Sequence, residues 1–252
     1  MAIYDKPTKT LMTEWANGNL KPEQLFGRAE VVRWFAANYP KLAKGTITAH
    51  IAGMAVNSRT RAHHPSIKEG AGYDLFWQES PTMFRLWDPA SDPAPIYKQD
   101  IDTIIQSQEL DVDETEEDEI ISDTFAREQD LQQYLVCNLN AIEPGLRLYE
   151  DEGLTGIEFD AGGRRIDILA VDKDGAFVVI ELKVSKGHDR VIGQLLRYTG
   201  WIEENMDTDK PVRGIIIANK ISHDLILATK RIRDVKLVEY EISFSLKSVQ
   251  QL

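Results

Sequence analysis

The sequence predicts an α/β chain in two parts: a C-terminal domain on a mixed β-sheet and a smaller N-terminal domain of helices and a hairpin. Three observations carry this. Residues 164–187, "RRIDILAVDKDGAFVVIELKVSKG", hold two apolar runs around the turn "DKDG", the pattern of a hairpin of largely buried strands. Beyond them an amphipathic helix, a strand, a helix and a strand follow in order. Between them and the N-terminal part, residues 99–124 carry no base and 11 acids, a solvated linker and the domain boundary.

Residues 1–98 come first. "TLMTEWANG" and "RAEVVRWFAANYP" read as helices, the second closed by Tyr39-Pro40. "GTITAHIAGMAVNS" reads as a third, with Thr46 as N-cap and Ile47, Ile51, Met54 and Ala55 on one face. "YDLFWQES" and "TMFRLWD" read as strands around a tight turn at Ser80-Pro81. Three helices and a hairpin in this order resemble a winged helix-turn-helix, with residues 46–57 as recognition helix. Bases gather behind it. Arg59, Arg61, His63 and His64 lie in "NSRTRAHHP", with Lys41, Lys44 and Lys68 close in sequence. Arginines reach guanine edges and helix N-termini reach phosphates, so this part is expected to read DNA. Trp15, Trp34, Trp77 and Trp87 are expected in the core, and "RLWDPASDPAPIY" as an extended lead into the linker, which holds a short helix near 101–108.

The net charge of −12 argues against a nucleic-acid partner only until it is divided. Residues 1–98 carry 12 Lys/Arg against 9 Asp/Glu, a net of +3, and residues 125–252 carry a net of −4. Nearly all the acidity sits in the linker. The single cysteine, Cys137, cannot form an intramolecular disulfide and is expected as a small core residue. With no apolar run near the length of a membrane span, the expected location is cytoplasmic.

The second domain, 125–252, opens on "FAREQDLQQYLVCNLNAI", where Phe125, Glu128, Leu131, Leu135 and Leu139 form one helical stripe. Glu128 thus shares the face that points at the core. In the hairpin, Glu181 and Lys183 project from one side and Ile180 and Leu182 from the other. If Val171 pairs with Phe177, Asp167 falls opposite Glu181 and the carboxylates stand about 5 Å apart. Two such groups repel unless a proton or cation lies between them. A Mg²⁺ ion takes oxygens from one or two carboxylates and keeps waters for the rest. Lys183 is then placed to meet a metal-bound water or a phosphate oxygen. The charges on these buried strands make a metal site.

In "SKGHDRVIGQLLRYTGWIEENM", Val191, Leu195, Tyr198 and Ile202 mark an amphipathic helix with His188 near its start, and Gln194 and Tyr198 share one edge. "VRGIIIANK", "HDLILATKRIRD" and "VKLVEYEIS" supply strand, helix and strand. The five histidines have no zinc or ββα-metal spacing, and no Walker motif is present, so no nucleotide cofactor is expected.

Asp167, thirteen residues, then Glu181-Leu182-Lys183 resembles the D…(D/E)-x-K motif of the PD-(D/E)XK nuclease superfamily. The phrases "RRIDILAVDKDGAFVVIELK" and "VIGQLLRYTGW" are similar to the NucS/EndoMS endonucleases, an archaeal and actinobacterial mismatch-cleaving family, over roughly residues 122–243. The resemblance implies a restriction-endonuclease-like fold and a Mg²⁺ cofactor, with Mn²⁺ as substitute. It implies Asp167, Glu181 and the backbone carbonyl of Leu182 as metal ligands, and Lys183 as the group that orients or activates the attacking water. Glu128 would support the metal through water or bind a second ion. Gln194 would order the site, and Tyr198 would hydrogen-bond nearby or touch DNA. Arg165, Lys186 and Arg197 join the expected DNA contacts. Ile166 stands where the superfamily often has Pro.

The N-terminal half does not resemble the β-rich half expected of NucS enzymes. The expectation is therefore a Mg²⁺-dependent endonuclease on double-stranded DNA, of restriction or modification-dependent type, and a homodimer. The alternatives are a mismatch- or structure-specific nuclease and a DNA-binding regulator with an inactive nuclease fold.

Overall fold

The computed structural model describes residues 4–98, 128–183 and 189–241. The acidic linker, the helix expected near 101–108, Phe125, Lys186 and His188 lie outside these residues.

Three helices open the chain, α1 (Thr8–Asn19), α2 (Arg28–Asn38) and α3 (Lys44–Gly53), followed by a 3-10 turn at Arg59–His63. The hairpin strands are β2 (Phe76–Gln78) and β3 (Met83–Leu86). A two-residue strand, β1 (Phe26–Gly27), pairs antiparallel with β3, so the small sheet runs β1-β3-β2. Two residues are too few for an alternating pattern, which hid β1 in the sequence. It matters because Phe26 packs within 5.1 Å of Phe76 and 5.5 Å of Trp15 between ring centroids, joining sheet to helix. Trp15 is core as expected, whereas Trp34, Trp77 and Trp87 are half-buried.

The expected recognition helix is not free to enter a groove. Every residue of α3 from Gly45 to Gly53 is buried, leaving only Lys44 exposed. Small residues allow this close packing: a Cβ at Gly45 would stand 2.2 Å from Met206 Sδ. Ala43, not Thr46, is the N-cap, and the Thr46 hydroxyl instead donates to Asp151 at 3.1 Å. Helical periodicity showed one apolar face; Thr46, Thr48 and His50 made the other look polar, yet it too is covered.

The C-terminal part begins with a helix over 128–137, here α4, and a single turn, α5 (Leu139–Ile142). Short strands β4 (Arg147–Leu148), β5 (Glu150–Asp151), β6 (Leu154–Thr155) and β7 (Ile157–Asp160) precede the long hairpin β8 (Arg165–Val171) and β9 (Phe177–Lys183). Then come α6 (Asp189–Asn205), β10 (Arg213–Ala218), α7 (His223–Thr229) and β11 (Val235–Glu239). The main sheet runs β11-β10-β9-β8-β4, with β7 also pairing β8. Strand β10 is parallel to β9 and β11, while β8 is antiparallel to β9, β7 and β4, so the sheet is mixed. Among the described residues no helix is long and apolar enough to cross a membrane.

The two faces of this sheet hold separate cores. Ile168, Ala170, Val178, Ile180 and Leu182 pack with Leu131, Leu135 and Leu139 of α4 and α5. Leu169, Phe177 and Val179 face the other way, onto Val191, Leu195, Tyr198 and Ile202 of α6. That second core continues without a break into the N-terminal helices, through Leu154 and Phe159 to Ile47, Ile51 and Met54. Cys137 is exposed, a correction of the expected core position; it lies at the last turn of α4, off the Leu131–Leu135 stripe.

Arg61, expected at DNA, is fully buried. It pairs with Asp74, and its guanidinium carbon lies 5.2 Å from the centroid of the Tyr97 ring. Arg61→Ala should therefore lower unfolding stability by about 3–5 kcal/mol, the cost of breaking a buried pair. Arg59→Ala, at an exposed position, should stay within about 0.5 kcal/mol of wild type. Thermal or denaturant unfolding of the two variants measures the contrast.

Candidate active site

The site forms where β8, β9 and β7 come together beside α4 and α6. Val171 pairs with Phe177, and the ladder continues through Ile168–Ile180, so the next positions are Asp167 and Glu181. Asp167 Oδ2 accepts a hydrogen bond from the Leu182 amide at 2.7 Å, which pins the carboxylate across the hairpin. Glu181 is only 2% exposed, and its Oε1 is buried without a hydrogen-bond partner. Such an atom is expensive to leave unpaired.

Electrostatics follow from this geometry. Burial pushes the Asp167 carboxyl well above the ordinary carboxylate range, against the Leu182 amide and Lys183, which pull it down. Glu181 is raised too, first by burial and then by the Asp167 charge. Burial also raises half-buried Glu128, whose neighbours are Lys183 and Glu158. Tyr198 is buried and its hydroxyl is raised by burial and by the Glu181 charge, so it faces the carboxylates. Gln194 is half-buried on α6, one turn before Tyr198.

Two residues of this cluster escaped the sequence reading. Glu158 stands on β7 between Ile157, which pairs with Ile168, and Phe159, which pairs with Ile166; it is thus the cross-strand neighbour of Asp167. Its φ is +49°, a left-handed conformation uncommon for a residue with a Cβ. Gln132, 5% exposed on α4, donates from Nε2 to the Asp167 backbone carbonyl at 2.8 Å and to Glu158 Oε1 at 3.0 Å. The one signal for Glu158 was its place between the apolar Ile157 and Phe159 in "GIEFD"; Gln132 gave none, since a glutamine beside a leucine stripe is ordinary on a helix.

The residues expected at DNA divide by exposure. Arg59, Lys44, Arg165 and Arg197 are exposed. Arg165 stands 3.6 Å from Glu158, and Arg197 lies over the Tyr198 ring at 5.3 Å. His63 is half-buried, near Glu158 and Arg165. His64 is a correction: it is buried, its Nδ1 accepts from the Thr155 amide at 3.1 Å, and burial lowers its pKa to about 3. A neutral, enclosed imidazole offers nothing to a phosphate. Arg61, spent on Asp74, is likewise withdrawn from the surface.

A divalent cation fits the donor set. Asp167 and Glu181 are paired hard oxygens, with the unpartnered Glu181 Oε1 among them. Among the described residues no three His, Cys, Asp or Glu side chains converge to hold a metal ion. The hard oxygens that the hairpin sets side by side are thus those of two carboxylates, Asp167 and Glu181.

Comparison with known proteins bears on the two parts of the chain separately. Residues 127–249 match the family model of the endonuclease NucS C-terminal domain, and residues 7–86 match DUF7669, a domain of unknown function. The chain is 28% identical over 156 residues to endonuclease NucS of Methanopyrus kandleri, covering 54% of this chain and 56% of that protein. It is 35% identical over 115 residues to endonuclease NucS of Frankia alni, covering 45% and 49%. Among solved structures it is similar to a repair endonuclease from Pyrococcus abyssi (24% identity, TM-score 0.37, 52% and 49% covered). A second is EndoMS in complex with double-stranded DNA (23% identity, TM-score 0.39, 47% and 46% covered). The chain spans about half the length of the curated relatives it matches. Its C-terminal half is a NucS-like nuclease domain.

Because the Asp167 and Glu181 shifts are upward, the metal-free fold holds these protons more tightly than the unfolded chain. Their contribution to stability is fullest below the ordinary carboxylate range, near 4, and falls as pH rises above it. Metal-free Asp167→Asn should melt above wild type at pH 8, with the gap closing toward pH 5. Thermal unfolding in chelator checks this, and equal melting points at pH 8 would contradict it.

Proposed function

We propose that this chain is a metal-dependent DNA endonuclease that hydrolyses phosphodiester bonds at the β8–β9 carboxylate pair. The observation that carries the reading is the buried Glu181 oxygen without a partner, set beside Asp167 and followed by Lys183. Asp167, Glu181 and the Leu182 carbonyl would hold the cation, Mg²⁺ or Mn²⁺, which when bound supplies a more acidic water and polarises the phosphate. Lys183 neutralises charge on the phosphate and orients the attacking water. Glu128, held near Lys183, takes up or relays a proton at the edge of the site. Gln194 and Tyr198 close the α6 side.

The substrate choice follows the NucS type: mismatched or branched DNA rather than a fixed sequence. The relatives carry that name, and the helix needed for sequence reading is covered. Exposed Arg165, Arg197, Arg59 and Lys44, with Lys186, serve as phosphate contacts, which position DNA without reading it. Two copies around a two-fold axis would bring one centre to each strand.

Asp167→Ala and Glu181→Ala should abolish cleavage while DNA binding persists, and Lys183→Ala should slow it by about 10²–10⁴-fold. Gel assays with Mg²⁺ on matched, mismatched, branched and single-stranded DNA test the substrate. Cutting at one defined sequence in matched plasmid would favour the restriction-type reading instead. Arg165→Ala with Arg197→Ala should weaken binding to all these DNAs alike and lower the salt slope by about 1 per residue.

A further inference from the structure

Strand β8 has its charged end tied down from two sides. On the β9 side the Leu182 amide holds the Asp167 carboxylate. The other side is less regular. The Leu169 amide donates to the Gly156 carbonyl at 2.7 Å, toward β7, and Asp167, two residues earlier, directs its backbone the same way. There its carbonyl meets the buried amide of Gln132, which reaches over from α4. The same nitrogen donates its second proton to Glu158, so one side chain joins helix, β8 and β7. Glu158 reaches this point from a left-handed backbone, with φ of +49°. Arg165 faces Glu158 at 3.6 Å, and His63 of the N-terminal part lies close by.

We propose that Gln132 and Glu158 are a positioning pair: the Gln132 amide locks the Asp167 backbone to Glu158, and so sets the gap between the Asp167 and Glu181 carboxylates that a divalent cation fills. This rests on the metal-dependent reading above. Neither residue need touch the ion. Losing a group that orients a metal ligand from behind commonly costs about 10–100-fold in metal affinity. Glu158 acts by accepting the hydrogen bond, not by its charge. An amide oxygen in its place should therefore serve, whereas a methyl group should not.

The experiment is a Mn²⁺ titration followed by electron paramagnetic resonance on the full chain, beside circular dichroism and melting curves. Wild type should bind Mn²⁺. Gln132→Leu and Glu158→Ala should each weaken binding about 10-fold or more while remaining folded. Glu158→Gln, which keeps an acceptor for Gln132 Nε2, should recover most of the affinity. A folded Gln132→Leu with wild-type affinity would overturn the pair. So would Glu158→Gln as weak as Glu158→Ala, since the charge itself would then be what matters. Because Glu158 is partly exposed, its two variants decide the matter even if Gln132→Leu does not fold. Wild type that binds no Mn²⁺ would instead remove the metal reading, and the pair with it.

Discussion

Side chains alternate across a strand, so the pairing of Val171 with Phe177 settles which residues of β8 and β9 face α6 and which face α4. A slip of one residue in either strand would send its alternate set to the wrong core. It would also separate Asp167 from Glu181, placing one carboxylate against the leucines of α4. Both hydrophobic cores and the charged site therefore rest on one register. The loop that sets it is braced by Asp172, whose carboxylate accepts from the Asp174 and Ala176 amides, each at 2.9 Å. Asp172 also meets Arg213 at 2.9 Å, and Arg213 reaches Glu143, so the turn is bolted to β10 and the segment after α5.

A second constraint joins the two parts of the chain. The β5–β6 hairpin offers acceptors along its length: Asp151 to Thr46, Glu152 to the Thr8 amide at 2.7 Å, and the Gly153 carbonyl to Ser66. Arg28, buried, pairs with Asp160 at the end of β7. Around these bonds runs a continuous apolar core. The N-terminal part is thus a wall of the nuclease domain. Its 3-10 turn carries His63 close to Glu158 and Arg165, while Arg61 and His64 are spent inside it.

The carboxylate pair runs against this economy. Burial first, and then the charges of neighbouring carboxylates, raise Asp167 and Glu181, and a backbone hydrogen bond and Lys183 oppose them. A protein optimised for stability would not keep two carboxylates there with an oxygen unpartnered. On the proposed metal-dependent reading, the same two charges would become ligands of a cation.

What the sequence determined by itself was local and periodic. Alternation and turn chemistry marked the β8–β9 hairpin, and 3.6-residue stripes marked α4 and α6. Charge on otherwise apolar strands singled out Asp167, Glu181 and Lys183, because such residues have no bland reason to be there. Only the tertiary structure decided the rest. Whether α3 shows a face to solvent depends on what packs over its polar side, which no window of ten residues records. Arg61 and Arg59 look alike in "NSRTR", yet Asp74 and Tyr97 enclose one while the other is exposed among the described residues. Gln132 and Glu158, 26 residues apart, become partners only when α4 crosses β7 and β8. Periodicity carries the direction of a side chain relative to its own element, whereas function here depends on which elements meet, and that is settled by packing between distant parts of the chain.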